Sequence, residues 1–283
     1  MEIKQFKCRA SKIGLLMTNP TGKSNLEKLI EAKEKLASLK ERYEKAVNKD
    51  AKTFVEIKNV KIPEIEKEIS SLELVKDVKE LSETAKSYCK EWLISQFTGK
   101  DKEVKSKYLE RGHEMEENAI QRVAKYYNCE LSKNDTQLEN EFFTGMHDTE
   151  NSERVIDTKV PFDCFTFPYF VTVIDSDYYG QLQGYMNLTG LKKASLAYCL
   201  ENGSHSQIDR LSWQIAKSKD KDEPDIDEWD EAERKLSYDH LPEYLRIKVF
   251  EFEIDKEYIE KAKERVLMAR KYIENELLTQ IKL

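Results

Sequence analysis

The sequence predicts an α/β (α+β) protein in which short strands are flanked by helices and a long antiparallel helical hairpin is inserted near the start. Three observations predict it. Between residues 24 and about 80, apolar side chains recur three and four apart, the spacing of a packed helix pair. After Gln137 the texture changes to short β-branched and aromatic runs separated by turn residues. From there to the C-terminus such runs alternate with helical stretches.

Taken in order, Arg9–Thr18 reads as a short helix that ends in a turn at Asn19-Pro20-Thr21-Gly22. Ser24 or Asn25 can cap the next helix, whose seam is Leu29, Ala32, Leu36, Leu39, Tyr43 and Ala46. A polar connection around Asn48-Lys-Asp leads to a second run with Ile62, Ile65, Ile69 and Leu72, where Pro63 is tolerated in the first turn. This sets the expected boundaries: a core from 1–23 and 81–283, and a hairpin from 24–80 whose charged faces are read as solvated. A helix follows from Leu81, ending near Gly99, and another runs from about Val104 to Tyr127. Phe142–Gly145 and Val155–Val160 read as the strands of one hairpin. Tyr178–Thr189 reads as helix, Ala194–Leu200 and Leu245–Glu253 as strands, and Lys256–Leu278 as a last amphipathic helix. The acidic stretch Lys219–Glu233 reads as a helical excursion or a loop.

The 283 residues suffice for a substantial core, and a 36% charged fraction against 39% hydrophobic fits a soluble protein with much exposed helix. No long apolar run and no charged-then-apolar leader is present, so neither a membrane span nor a secretory signal is expected. The cysteines (Cys8, Cys89, Cys129, Cys164, Cys199) are odd in number, far apart and without a C-x-x-C pair. That disfavours a zinc ribbon, an iron–sulfur site and a disulfide framework, and makes the cytoplasm the default location. A net charge of −7 argues against coating nucleic acid by bulk electrostatics, though an acidic protein can still carry a local basic groove.

Chemistry concentrates in Thr144-Gly-Met-His-Asp148 and Val155-Ile-Asp157-Thr-Lys159-Val-Pro161. If these lie on adjacent strands, two carboxylates meet, and the period of two puts Asp157 and Lys159 on one face. Carboxylate and carbonyl oxygens are hard ligands suited to Mg²⁺, which keeps waters in its remaining positions. A neighbouring lysine can orient a water and stabilise charge on a phosphate. By itself D-x-K near another Asp is a weak pattern in so charged a chain, and an exposed surface ion pair would produce it too. Against that reading, Asp157 is flanked by Val155, Ile156 and Val160 instead of charges. His113, His205 and His240 show no ligand spacing. The aromatics Phe162, Phe165, Phe167, Tyr169 and Phe170 suit either core packing or a stacking surface beside a DNA end.

Gly145-Met-His-Asp148 followed by Ile156-Asp157-Thr-Lys159-Val-Pro resembles the signature of the PD-(D/E)XK nuclease superfamily, specifically its phage lambda exonuclease-like (YqaJ-type) viral recombinase group. Three further segments agree in order and spacing: Arg9-Ala-Ser-Lys, Gly112-His-Glu-Met-Glu116-Glu-Asn-Ala119, and Tyr178-Tyr-Gly-Gln181-Leu-Gln183-Gly-Tyr-Met186. The resemblance spans roughly residues 6–20 and 80–202. It implies a restriction-endonuclease-like core with a central mixed β-sheet. It implies Mg²⁺, with Mn²⁺ as a substitute, on Asp148, Asp157 and the Thr158 carbonyl. Lys159 would position the attacking water, Glu116 would bind a metal-coordinated water or a second metal, and Gln181 would contact the lysine or the phosphate. Arg9, Ser11, Tyr178 and Gln183 would contact DNA. His147 stands where the family usually has proline, and Asp157 where glutamate is commoner; the shorter acid must come closer to the metal.

The function expected is a Mg-dependent exonuclease that resects linear double-stranded DNA in a bacterial or phage-infected cell. Members typically digest from the 5′ end alongside a single-strand annealing recombinase, and one forms a ring-shaped trimer, so a homo-oligomer is an expectation too. The alternatives are a repair or defence endonuclease of the same chemistry, and a non-catalytic interaction protein that works through its hairpin.

Overall fold

The computed structural model describes residues 3–46, 56–76, 80–102 and 106–281. The chain divides into two compact units, Thr18–Thr84 and Met1–Met17 with Ala85–Leu283.

In the smaller unit, α2 (Asn25–Ala46) and α3 (Ile62–Val75) pack side by side. The start of α2 is fixed by Ser24, whose N–H donates to Glu27 Oε2 at 2.7 Å while its Oγ accepts from the Glu27 N–H at 3.2 Å. Leu39, Ile57 and Ile65 form a buried seam, with Leu36, Tyr43, Ile62 and Ile69 packed on it. The ion pairs Lys33–Glu73 (2.7 Å) and Lys40–Glu66 (2.8 Å) run in opposite chain directions, so the helices are antiparallel. These pairs are half exposed, and the apolar seam supplies most of the adhesion. The connection expected around Asn48 lies outside the described residues.

The larger unit is a mixed α/β body with two mixed sheets flanked by helices. Its opening differs from expectation. Cys8–Arg9 is a strand (β1), Ala10–Lys12 a 3₁₀ turn, and only Ile13–Met17 is α-helix (α1). β1 runs parallel to β3 (Phe143–Gly145), and β3 pairs antiparallel with β2 (Leu138–Glu139). The second sheet has the order β4-β5-β6-β7, from Thr149–Glu150, Arg154–Lys159, Lys193–Cys199 and Ile247–Glu253. Its central pair, β5 and β6, is parallel, and both outer pairs are antiparallel. Phe142–Gly145 and Val155–Val160 are therefore not one hairpin. The hairpin partner of β5 is Thr149–Glu150, while β3 pairs with β1, a strand more than a hundred residues away that no local pattern reveals.

The sheet's alternation decides what reaches the site. Val155 on β5 packs with Leu182, Tyr185 and Met186 of α6 (Ser176–Thr189), on one face. Ile156 packs with Ala119, Ile120 and Val123 of α5 (Lys107–Tyr127), on the other. Both side chains are fully buried, worth about 1.5–3 kcal/mol each. Asp157 and Lys159 inherit the α6 face. The described part of α5 begins at the cap Ser106, whose Oγ accepts from the Tyr108 N–H at 3.2 Å; the start expected at Val104 falls outside the described residues. Asn128 at φ 50° ends that helix. Asp175 caps α6 and Gly190, at φ 81°, ends it. Against α6, α1 comes so close that a Cβ on Gly180 would stand 2.9 Å from the Gly14 nitrogen.

α4 (Glu83–Thr98), α7 (His205–Ser218), α8 (Ile226–Lys235) and α9 (Lys256–Tyr272) complete the described helices of this unit, α9 continuing through a π turn to Ile281. The acidic stretch is thus partly helical. α8 starts at Asp225, whose carboxylate accepts from the Asp227 N–H at 2.9 Å, and buried Glu228 is neutralised by Lys219 and Lys221. All the cysteines are free thiols, with Cys8, Cys89 and Cys199 buried. Among the described residues no helix is long and apolar enough to cross a membrane.

Candidate active site

Asp148 immediately precedes β4, and the β4–β5 register, Thr149 opposite Ile156, extends to set it opposite Asp157. It is held there by β5 itself: Thr158 donates to Asp148 Oδ2 from its N–H at 2.6 Å and from its hydroxyl at 2.8 Å. Both donations go to one oxygen, which leaves Oδ1 for a ligand.

Asp157 is 1% exposed. Its Oδ1 accepts from Gln181 Nε2 at 3.0 Å, and its Oδ2 lies 2.5 Å from Lys159 Nζ. That second oxygen has the charge of Lys159 beside it but no well-directed hydrogen bond. Burial pushes the Asp157 carboxyl up to about 6, against the pull of Lys159 and with the help of Asp148 and Glu116. For Lys159, burial would lower the ammonium's pKa, but Asp157 and Asp148 outweigh it and hold the group above its ordinary value. The lysine is therefore a fixed cation. It also stands 5.2 Å over the ring of Tyr178.

Gln181 donates a second hydrogen bond to Tyr185 Oη (2.9 Å), and that hydroxyl donates to the Met146 carbonyl (2.9 Å). Tyr185 thus ties α6 to the segment carrying Asp148. Sequence reasoning missed it, although its spacing of four from Gln181 puts both on one helix face. His147 is 3% exposed, edge-on to Tyr185 at 5.9 Å, with Nε2 3.2 Å from Glu150. Burial lowers its pKa, so it is a neutral packing residue near pH 7.

The structure brings Asp148, Asp157, Lys159 and Gln181 together. Glu116, on α5, is ion-paired to Lys133 at 2.8 Å and stands within electrostatic reach of Asp157. Gln183 does not join them: it is fully buried, donates to the Glu253 carbonyl (3.0 Å) and accepts from the Asp255 N–H (2.8 Å). Those bonds pin the end of β7 to α6, so Gln183 is a structural link and the expectation that it touches DNA is corrected. Arg9 and Ser11 line a cavity of about 630 Å³ with Lys7, Trp92, Gln96 and Met146. The cavity is also lined by Tyr185, whose hydroxyl shares the Gln181 amide with Asp157. Arg9 there is ion-paired with Asp101 at 2.7 Å.

Among the described residues, no group of three His, Cys, Asp or Glu side chains stands ready to enclose a metal. Two carboxylates beside a strand carbonyl still fit a hard divalent cation that keeps most of its water. Asp157 Oδ2, buried and without a directed donor, is the atom that such a cation would satisfy.

No family model matches this sequence, and no curated relative was found. Solved structures are similar to it. A phage-related exonuclease from Haemophilus somnus 129PT is 23% identical with a TM-score of 0.63, over 98% of this chain and 97% of that one. An alkaline exonuclease from Laribacter hongkongensis is 16% identical with a TM-score of 0.51, over 74% of this chain and 89% of that one. The same enzyme in complex with dAMP gives 16% and 0.50, over 70% and 86%. The chain shares the fold of these exonucleases.

Proposed function

We propose that this protein is a metal-dependent deoxyribonuclease of the phage exonuclease type, which removes nucleotides from the ends of linear double-stranded DNA. The observation that carries the reading is the meeting of Asp148 and Asp157 across the β4–β5 register beside the Lys159 cation. The exonuclease fold and the dAMP bound by one structural neighbour support it.

Asp148, Asp157 and the Thr158 carbonyl would hold Mg²⁺ or Mn²⁺. When bound, the ion lowers the pKa of a water and offsets charge on the phosphate. The chain's own groups do the rest. Lys159, held protonated, does not serve as a base; its N–H groups orient the nucleophilic water and stabilise the phosphate as charge builds. Gln181 fixes the rotamer of Asp157, and Thr158 fixes that of Asp148. Glu116, outside the pair, can exchange Lys133 for a metal-bound water. Arg9 and Ser11, in the cavity that Tyr185 also lines, offer a cation and a hydroxyl to a terminal phosphate. Work alongside a single-strand annealing recombinase and self-association belong to the same proposal.

The test incubates linear and covalently closed circular duplex DNA with Mg²⁺ or Mn²⁺, using wild type and Lys159→Ala. Loss of linear DNA alone, abolished by the substitution, is expected. Cutting of circles would make the enzyme an endonuclease, and no digestion with either metal would sink the proposal.

A further inference from the structure

The loop from Val160 to Asp175 joins β5 to α6, and it divides its aromatic residues sharply. Phe167 is 5% exposed, whereas Phe165 and Phe170 are 94% and 97% exposed. The rings form a ladder from the interior outward: Phe167 to Tyr169 at 4.5 Å, then Tyr169 to Phe170 at 6.4 Å. Full exposure of two phenylalanines at the ends of a disordered tail would need no explanation. Here the loop is firmly built. Asp163 Oδ1 accepts from the N–H groups of Phe165 (3.0 Å) and Thr166 (2.9 Å), and Tyr238 Oη accepts from the Cys164 N–H at 3.1 Å. Lys248 spends its ammonium on the carbonyls of Pro168, Tyr169 and Val171, at 2.8, 2.9 and 2.5 Å.

Lys248 also fixes where the loop stands. In the sheet register Lys159 is opposite Tyr198, and Tyr198 is opposite Lys248. Cross-strand partners face the same way, so the three side chains share the face that carries Asp157. Two strand spacings separate the two lysines, about 10 Å. The loop is thus anchored on the same row as the site's cation, with its Phe165 and Phe170 rings held out to solvent.

We infer that Phe165 and Phe170 are a stacking platform for unpaired bases of the DNA strand engaged at the Asp148–Asp157–Lys159 site, with Lys248 as the residue that positions it. Every base has a π face, so the platform accepts any sequence. The loop follows Lys159 directly in the chain and is fastened to the face that carries Asp157, so a strand held at that site is the partner within reach of its rings. The inference rests on the nuclease reading above, but it is tested without hydrolysis.

The measurement is fluorescence anisotropy of a labelled 20-mer of thymidylate in EDTA, with wild type, Phe165→Ala/Phe170→Ala, Phe165→Leu/Phe170→Leu, Phe165→Tyr/Phe170→Tyr and Lys248→Met. Both the alanine and the leucine pairs are expected to weaken binding about 10- to 100-fold, with the tyrosine pair close to wild type. Lys248→Met, with its rings intact, should lose about 3- to 10-fold through the loosened loop. Thermal melting of each variant checks that it folds. Unchanged affinity in the alanine pair would overturn the inference. So would full binding by the leucine pair, which would mean apolar contact and not stacking. A shift in sedimentation of the alanine pair to a smaller species would assign the rings to contact between copies of the chain, and would also overturn it. If wild type binds through these rings yet never cuts DNA, the nuclease reading fails while the platform stands.

Discussion

Gln181 donates from Nε2 to Asp157 Oδ1 at 3.0 Å, which leaves the other carboxylate oxygen to Lys159. One helix residue thereby decides which way a buried acid points. Loss of that donor frees the carboxylate to rotate and pair twice with the lysine. Gln181→Ala is expected to lower kcat about 10–100-fold, the usual cost of removing a partner that orients a metal ligand. Steady-state digestion of linear DNA at several Mg²⁺ concentrations checks it, with a raised Mg²⁺ requirement as the companion sign.

The buried carboxyl also sets a pH dependence. Asp157 is pushed up to about 6 by burial, so the metal-free native state holds its proton more tightly than the unfolded chain does. That contribution to stability is fully present below the ordinary aspartate range near ~4 and is lost as pH rises through about 6. The melting temperature in EDTA should fall between pH 5 and 7 more steeply in wild type than in Asp157→Asn. Mg²⁺ binds the ionised form, so its stabilising shift should be small at pH 5, grow through pH 6 and level off above it. An equal Mg²⁺ shift at pH 5 and pH 8 would contradict this assignment of the ligand.

Lys159 and Asp157 form a pair in which one partner is buried and the other a quarter exposed. Lys159→Ala leaves the acid without its cation, so it should lose activity by at least about 10²-fold and stability by about 1–3 kcal/mol at pH 7. The stability loss should shrink at pH 5, where Asp157 takes up a proton. Urea denaturation at both pH values separates this electrostatic cost from simple loss of packing.

How far the sequence disclosed this site follows from the range of each interaction. The Asp157–Lys159 pair was legible because strand alternation is local. Asp148 was legible as a second acid, but its place opposite Asp157 comes from a short hairpin at Thr149–Glu150 that two residues cannot advertise. Gln181 and Gln183 look alike in the sequence. Two positions on a helix differ by about 200°, and the structure accordingly sends one to Asp157 and the other to the β7 backbone. α7 was overlooked although Ser204 and Gln207 bracket its first turn, with the Ser204 N–H donating to Gln207 Oε1 at 3.1 Å. The pairing of β1 with β3 is long-range and carries no local signal.

Arg111 provides the last prediction. It lies on α5 five residues before Glu116, 1% exposed, and it ties three segments together through its guanidinium. Nε donates to the Pro161 carbonyl at 2.8 Å, just past Lys159; Nη2 donates to the Glu201 carbonyl at 2.7 Å; Nη1 donates to the Asn202 carbonyl at 3.0 Å and to Gln207 Oε1. The chain leaving β5 and the chain leaving β6 are held to α5 by this one side chain. Arg111→Met keeps much of the volume and orphans the buried Pro161 and Glu201 carbonyls and the half-buried Asn202 carbonyl, so it should cost about 3–5 kcal/mol in urea unfolding. Arg111→Lys keeps the charge, but an ammonium cannot span carbonyls on three sides and should recover less than half of that loss. Because Pro161 follows the strand that carries Asp157 and Lys159, the lysine variant should also lose activity at temperatures where it is still folded. A lysine variant as stable and active as wild type would show that charge alone, and not the fork of the guanidinium, is what these segments need.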